Sequence, residues 1–363
     1  MFTALSFAEL TAWQPKEGSI YEYAFQLISP LAGFSVGWVW ILSNVCAGAA
    51  VSLGFAHYLT ALFPIMPASW LAALLCLAFA VLNLFGIQQS ARLNNFIVVA
   101  KLLILVFFIL FGLAHFNIVN FVPFAPFKIG VLYGACFIFF AYGGFARVAI
   151  VADEVKDPKR NVPRAILLSL AISTTVYILV GVVAVGLVGA SGLASSNSPL
   201  TKAMGATHSA TASSIISAGA LLATASVLLT SILGVSRMAY AMAKRKDIPE
   251  ALSKLHPKHN TPYYSIWISG ALMALLVLII DLSKVVAIST FALLFYYSVA
   301  NISALRLTPE KRLYPRFIPI FGTGSCLALL VFIFFASPKA WMIGSAVLMA
   351  GLVYYAAKKK FLS

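Results

Sequence analysis

The stretch 139–164, FFAYGGFARVAIVADEVKDPKRNVPR, carries an apolar helix straight into a basic loop, with Gly143 and Gly144 about halfway along an otherwise membrane-grade segment. Paired glycines lower the cost of breaking a helix. A break at mid-membrane frees backbone N–H and C=O groups that hydrocarbon cannot satisfy, so it is tolerated only where it is buried in protein or lines a watery cavity. Discontinuous helices of this kind build the substrate sites of many secondary transporters. A plain kink or a close helix crossing is the alternative, since glycine is common in membrane helices.

Outward from this stretch the chain keeps the same character. Of its 363 residues, 62% are hydrophobic and 10% charged, against about 25% charged in a soluble domain. This composition predicts an all-α polytopic membrane protein. The net charge of +15 would point to nucleic acid only if the basic residues gathered on one exposed face. They alternate between loops instead, so no nucleic-acid partner is expected.

Apolar runs of about 20 residues place spans at 31–63, 70–86, 93–116, 129–152 and 165–189. Further spans fall at 213–242, 264–280, 285–305, 318–336 and 341–357, about ten complete spans in all. Alternate loops carry Lys156, Lys159, Arg160, Arg164, Lys244, Arg245, Lys246, Lys311, Arg312 and Arg316, with Lys358, Lys359 and Lys360 in the tail. The opposite loops carry only Lys128, Lys202, Lys284 and Lys339. Cytoplasmic loops concentrate Lys and Arg, so the heavy set and the C-terminus are expected in the cytoplasm. Cys46, Cys76, Cys136 and Cys326 fall inside spans and imply no disulfide framework. The first residues lack the basic start and cleavage site of a signal peptide.

MFTALSFAEL is apolar for only about ten residues, too few to cross a core of about 30 Å at 1.5 Å per residue. It reads as the cytoplasmic half of a helix whose other half lies upstream. An interfacial amphipathic helix is the alternative, and Ser19–Ile28 fits that description.

Four features together resemble the amino acid permeases of the amino acid/polyamine/organocation superfamily: ALSFAELTAWQPKEGSIYEYA at 4–24, the 139–164 stretch, SRMAYAMAKRKDIPEALSKLHPKHNTP at 236–262, and the spacing of spans between them. The resemblance covers essentially the whole chain. It implies a LeuT-like fold of two inverted five-helix repeats plus two trailing helices, N-terminally truncated so that the first helix and its glycine-rich unwound segment are missing. On that pattern 1–128 is the remainder of the first repeat, 129–305 the second, and 306–363 the two C-terminal helices.

The resemblance also implies site residues. The carbonyls near Phe140, Ala141 and Gly143 would accept from a substrate ammonium, Phe140 would close over the substrate, and Tyr142, Gly144 and Phe145 would shape the pocket. Many relatives carry a gating Glu after the position of Phe145; here Ala146 and Arg147 follow, so no gating carboxylate is expected. Lys101 stands within NNFIVVAKLLILVFFILFGL, where a charge is expensive and usually functional. Snorkelling to the interface is the alternative. In some proton-coupled relatives a lysine at this place of the fifth helix replaces a structural sodium ion. A partly desolvated lysine can take and release a proton during a cycle, so Lys101 is expected to couple transport to protons.

Other polar residues have plainer readings. Ser43, Asn44 and Ser52 are expected to make interhelical hydrogen bonds, and Thr224, Ser226, Thr230 and Ser231 to lie near Lys101 in place of a sodium site. His57 and Asn83 are expected as packed or pore-adjacent groups, and Asp153 and Glu154 as loop salt-bridge partners. Pro158 and Pro163 are expected to stop helices on either side of a turn, and 191–214 to be a flexible external loop, with a short helix around Pro199–Gly205 as the alternative.

These readings converge on secondary active transport of amino acids or related amines by alternating access, proton-coupled, in the plasma membrane. No metal, nucleotide or other cofactor is expected, and no Walker-type loop is present. The competing readings are an exchanger without net proton movement, an intramembrane enzyme, for which the 10 acidic residues are too scattered, and a non-transporting truncated remnant.

Overall fold

The computed structural model describes residues 1–15, 19–63, 66–86, 91–122, 129–146 and 155–362. Among these residues the regular structure is helical throughout: α1 (Phe2–Trp13), α2 (Ile20–Leu27), α3 (Pro30–Leu62), α4 (Ala68–Leu84), α5 (Ala91–Leu113), α6 (Gly130–Ala141) and α7 (Pro158–Ala194). They are followed by α8 (Pro199–Gly205), α9 (Ala210–Lys244), α10 (Tyr263–Ile279), α11 (Leu282–Leu305), α12 (Phe317–Ala336) and α13 (Pro338–Leu362). Each expected span falls at least in part on one of these helices, and the end of the 129–152 span, from 147 on, lies outside the described residues. Seven, namely α3, α5, α7, α9, α11, α12 and α13, are long and apolar enough to cross a membrane, and α4, α6 and α10 are shorter apolar helices.

Capping chemistry sets the ends. α3 opens with Pro30, whose missing N–H is harmless at a first helical position, and Ser29 Oγ accepts from Ala32 N at 3.1 Å. Ser209 caps α9 in the same way, accepting from Ala212 N at 3.2 Å.

Two expectations about helix ends are corrected. Pro158 and Pro163 do not flank a turn: Pro158 opens α7 and Pro163 lies inside it. Near a helix start only one i→i−4 bond is lost to the proline ring, and the basic, exposed residues around it leave the freed carbonyl open to water. The segment 191–214 is likewise no flexible loop. α7 runs on to Ala194, α8 follows, and α9 begins at Ala210. Pro199 opens α8, and Ala203 and Met204 are buried beneath it, which ties the segment down. Arg147, Asp153 and Glu154 lie outside the described residues.

The helices nest around α3 and α11. Of their most apolar stretches 72% and 78% is buried, against 17% for α5, α7 and α13. α3 packs along α9 and α11, α4 along α10, and α1 along α7, α11 and α12. α1 is buried through Thr3, Ala4 and Ser6–Thr11, so it is a packed core helix and not an interfacial one. α2 buries Ile20, Tyr21, Tyr23 and Ala24 against the bundle. Ser43 of α3 and Ser289 of α11 exchange hydrogen bonds: Ser289 Oγ donates to Ser43 O at 2.8 Å and Ser43 Oγ to Ser289 O at 3.2 Å. Cys76 Sγ donates to Ser52 Oγ at 3.3 Å, joining α4 to α3, while Asn44 Nδ2 donates to Trp40 O within its own helix.

α5 shows the opposite face of the fold. Phe96, Val99, Leu103, Val106, Leu110 and Leu113 recur at helical spacing and are all at least 45% exposed. An apolar stripe of that length has lipid as its solvent. On its other side α5 joins α7, α8 and α9 in a separate apolar cluster built on Phe108, Val183, Leu187, Met204 and Ile216.

Candidate functional site

α6 ends at Ala141 by tightening its last turn. Tyr142 N donates to Phe139 O and Gly143 N to Phe140 O, both at 3.1 Å, the i→i+3 pattern of a terminating helix. The chain then turns through Tyr142–Gly144. α6 therefore ends beside the glycine pair where the sequence places a break, and residues 147–154, which would carry the helix beyond it, lie outside the described residues. Neither glycine adopts a left-handed φ. What Gly143 supplies is space, because a Cβ there would stand 2.6 Å from Leu293 Cδ1 of α11.

The carbonyls at the break have distinct partners. Phe140 O accepts from Gly143 N, whereas Ala141 O accepts from the hydroxyl of Tyr177 on α7 at 3.1 Å. The Tyr177 ring meets Tyr142 edge-on, with centroids 5.3 Å apart. On the other flank, Tyr297 of α11 gathers Phe7 of α1 at 5.4 Å, Phe145 at 5.2 Å and Phe139 at 5.9 Å. Phe145 thus packs into an aromatic core that clamps the break between α1 and α11, and Phe140 lies partly buried against the same core.

A cavity of about 490 Å³ lies between α5, α7, α8 and α9. Its walls are apolar apart from Lys101, Ser169, Ser173 and Tyr177. Large apolar cavities with a few convergent polar groups are the usual form of small-molecule sites. Lys101 Nζ is half-buried, donates to Ser226 Oγ of α9 at 3.3 Å, and among the described residues makes no ion pair. Of the expected site residues, Lys101 alone lines this cavity. Phe140, Ala141, Tyr142, Gly143, Gly144 and Phe145 form the break beside it, and Tyr177 joins the two. Tyr177 carries no sequence signal, because a lone tyrosine in an apolar run reads as packing and its partner is a backbone atom of another helix.

The hydroxyls of α9 divide between roles. Ser226 meets Lys101, while Thr224 Oγ1 and Thr230 Oγ1 donate to carbonyls of their own helix at 2.7 and 3.1 Å. Asn83 Nδ2 donates to Phe79 O at 2.8 Å and reaches Leu229 O at 3.4 Å, tying α4 to α9.

Residues 1–357 match the amino acid permease family. The chain is 31% identical over 334 residues to the branched-chain amino acid permease of Bacillus subtilis (strain 168), spanning 85% of this chain and 72% of that protein. It is 33% identical over 363 residues to an uncharacterized transporter of Mycobacterium tuberculosis, spanning 98% and 80%. To the methylthioribose transporter of Bacillus subtilis it is 31% identical over 351 residues, spanning 89% and 76%. A match along nearly the whole chain, on a bundle of apolar helices, makes this protein a member of the amino acid permease family, a multi-pass membrane transporter and not an enzyme.

Proposed function

We propose that the protein is a secondary active transporter that moves amino acids or related amines across the cell membrane by alternating access, coupled to protons through Lys101. The C-terminus and the lysine- and arginine-rich loops lie in the cytoplasm in this reading, because their bias is consistent from loop to loop.

The α6 break is the observation that carries the substrate class. α6 ends at Ala141, so the carbonyls of Ala141 and Gly143 stand at and beyond its C-terminus, and a carbonyl outside a helix ladder is a good partner for an ammonium group. Phe140 closes over the substrate, and Tyr142 and Gly144 shape its surroundings, while Phe145 holds the break against Phe7 and Tyr297. The relatives' names speak for amino acids and for a sulfur-containing ribose, and a site built on backbone carbonyls and aromatic rings suits neutral solutes of that size.

Coupling to protons rests on Lys101. A charge in the middle of an apolar helix is expensive, and this one sits on a cavity wall with a serine for a partner and no ion pair among the described residues. Such a group is suited to changing its charge as the cavity opens and closes to water. In proteoliposomes, uptake of the twenty amino acids under an imposed pH gradient tests the reading. Lys101→Ala is expected to abolish pH-dependent uptake; uptake and pH dependence equal to those of the native chain would sink the role of Lys101.

A further inference from the structure

We propose that the Tyr177 hydroxyl is a placeholder for the substrate ammonium. In the empty transporter it occupies the Ala141 carbonyl, and an arriving ammonium takes that carbonyl and releases the hydroxyl towards the neighbouring cavity. This rests on the reading of the α6 break as the ammonium site.

Three observations carry the proposal. The first is the bond itself, Tyr177 Oη donating to Ala141 O at 3.1 Å between helices 36 residues apart in the chain. Ala141 closes α6, so its carbonyl lies outside the helix ladder, and within a membrane a bare carbonyl is costly. The tyrosine satisfies it with a neutral donor. An ammonium is a charged donor, and charge-assisted hydrogen bonds are about twice as strong as neutral ones, so the exchange runs in favour of the substrate.

The second observation is that the ring has a seat of its own. It rests edge-on against Tyr142, with centroids 5.3 Å apart. With the ring held there, rotation about the C–O bond can turn the O–H away from the Ala141 carbonyl while the oxygen stays in place. The third is that the hydroxyl has somewhere to go. Tyr177 lines the same cavity as Ser173 and Ser169, which stand four and eight residues earlier on the same face of α7. Their hydroxyls already donate to helix carbonyls, Ser173 Oγ to Ser169 O at 2.7 Å and Ser169 Oγ to Ile166 O at 2.9 Å, and their oxygens keep the capacity to accept.

A placeholder lowers apparent affinity by the fraction of transporter it blocks. It also helps expel the substrate when it returns. Removing one neutral hydrogen bond shifts such an equilibrium by about 2–10-fold. Tyr177→Phe keeps the ring and deletes only the donor, so half-saturation for an amino acid is expected to fall by about 2–10-fold while the maximal rate of transport also falls. A merely supporting role for Tyr177 moves half-saturation the other way, because a loosened break binds less well.

The test uses the full chain in lipid nanodiscs and proteoliposomes, with each of the twenty radiolabelled L-amino acids as probe. The best-bound one is then titrated against the native chain and Tyr177→Phe. Tighter binding with slower turnover in the variant supports the placeholder. Unchanged or weaker binding in the variant, with the native chain binding normally, overturns the placeholder and leaves the ammonium site standing. Binding of none of the twenty by the native chain overturns both.

Discussion

At the scale of single residues, the break in α6 depends on what Gly143 leaves out. A methyl group there would press on Leu293 Cδ1 at 2.6 Å. The obstacle is the end of a flexible side chain, yet Leu293 is itself only 3% exposed and has little room to yield. Gly143→Ala is therefore expected to cost about 1–3 kcal/mol, as overpacked cores do. Leu293→Ala in the same chain should relieve the clash, so the pair is expected to cost less than the sum of the two single changes, a coupling of about 0.5–3 kcal/mol. Thermal unfolding midpoints of the three variants in detergent check it; strict additivity would mean that the two side chains do not compete for that space. Gly189 in α7 marks a different use of glycine. Its φ of 71° and ψ of 167° belong to a region that side chains rarely enter. Nearby, the Gly186 carbonyl is taken up by Asn117 N at 3.0 Å and Asn120 Nδ2 at 2.7 Å.

At the scale of elements, α2 is latched to the end of α9. Arg245 Nη2 pairs with Glu22 Oε1 at 2.6 Å and lies over the Phe25 ring at 4.1 Å, while the Tyr21 hydroxyl donates to Asp247. Burial pushes the Asp247 carboxyl above its ordinary value, outweighing the pull of the Tyr21 hydrogen bond and of the Lys358 and Arg245 charges; Glu22 pushes it the same way as burial. A carboxyl held high in the folded state contributes its stability in full at low pH. That contribution is lost as pH rises through the raised value. The native chain and Asp247→Asn, which keeps an acceptor for Tyr21, should therefore unfold at similar temperatures near pH 4, the ordinary range of a carboxyl being about 3.9. Asp247→Asn is expected to become the more stable of the two as pH is raised towards 8. Parallel curves for the two proteins across that range would show that Asp247 does not set the pH response of the latch.

At the scale of the whole molecule, the bundle is organised by two solvents. Leu103 is 63% exposed on the lipid stripe of α5, and Lys101, two residues earlier, faces the cavity. Successive helical residues are turned by about 100°, so two positions along the same helix meet opposite environments. Leu103→Arg is expected to cost about 2.5–3.5 kcal/mol of membrane insertion and to cut the yield of folded protein in membranes sharply, with Leu103→Ala close to native. Equal yields from the two would mean that this face of α5 does not meet hydrocarbon.

Much of this was legible beforehand because it follows from local composition. An apolar run of membrane length is a span wherever it packs, basic residues mark loops, a glycine pair weakens the helix that holds it, and a lone lysine in an apolar run stands out. Hence the places of the ten apolar helices, the end of α6 beside the glycine pair and the prominence of Lys101 were readable from the residues alone. The centre of the bundle was not. The most apolar stretches of α3 and α11 have mean hydropathies of 1.7 and 1.8 and are the most buried, yet α13 at 1.6 lies open to lipid, and α5 at 3.0 is equally exposed. Lipid and protein interior are alike in polarity, so hydropathy reports membership of the membrane without reporting depth in the bundle. The same holds for Tyr177, Tyr297 and Leu293: each reads as one more large side chain until its neighbours are known. Which helix held the freed Ala141 carbonyl, and which aromatic clamped the break, depended on contacts between residues far apart in the chain, and only the tertiary structure brought those residues together.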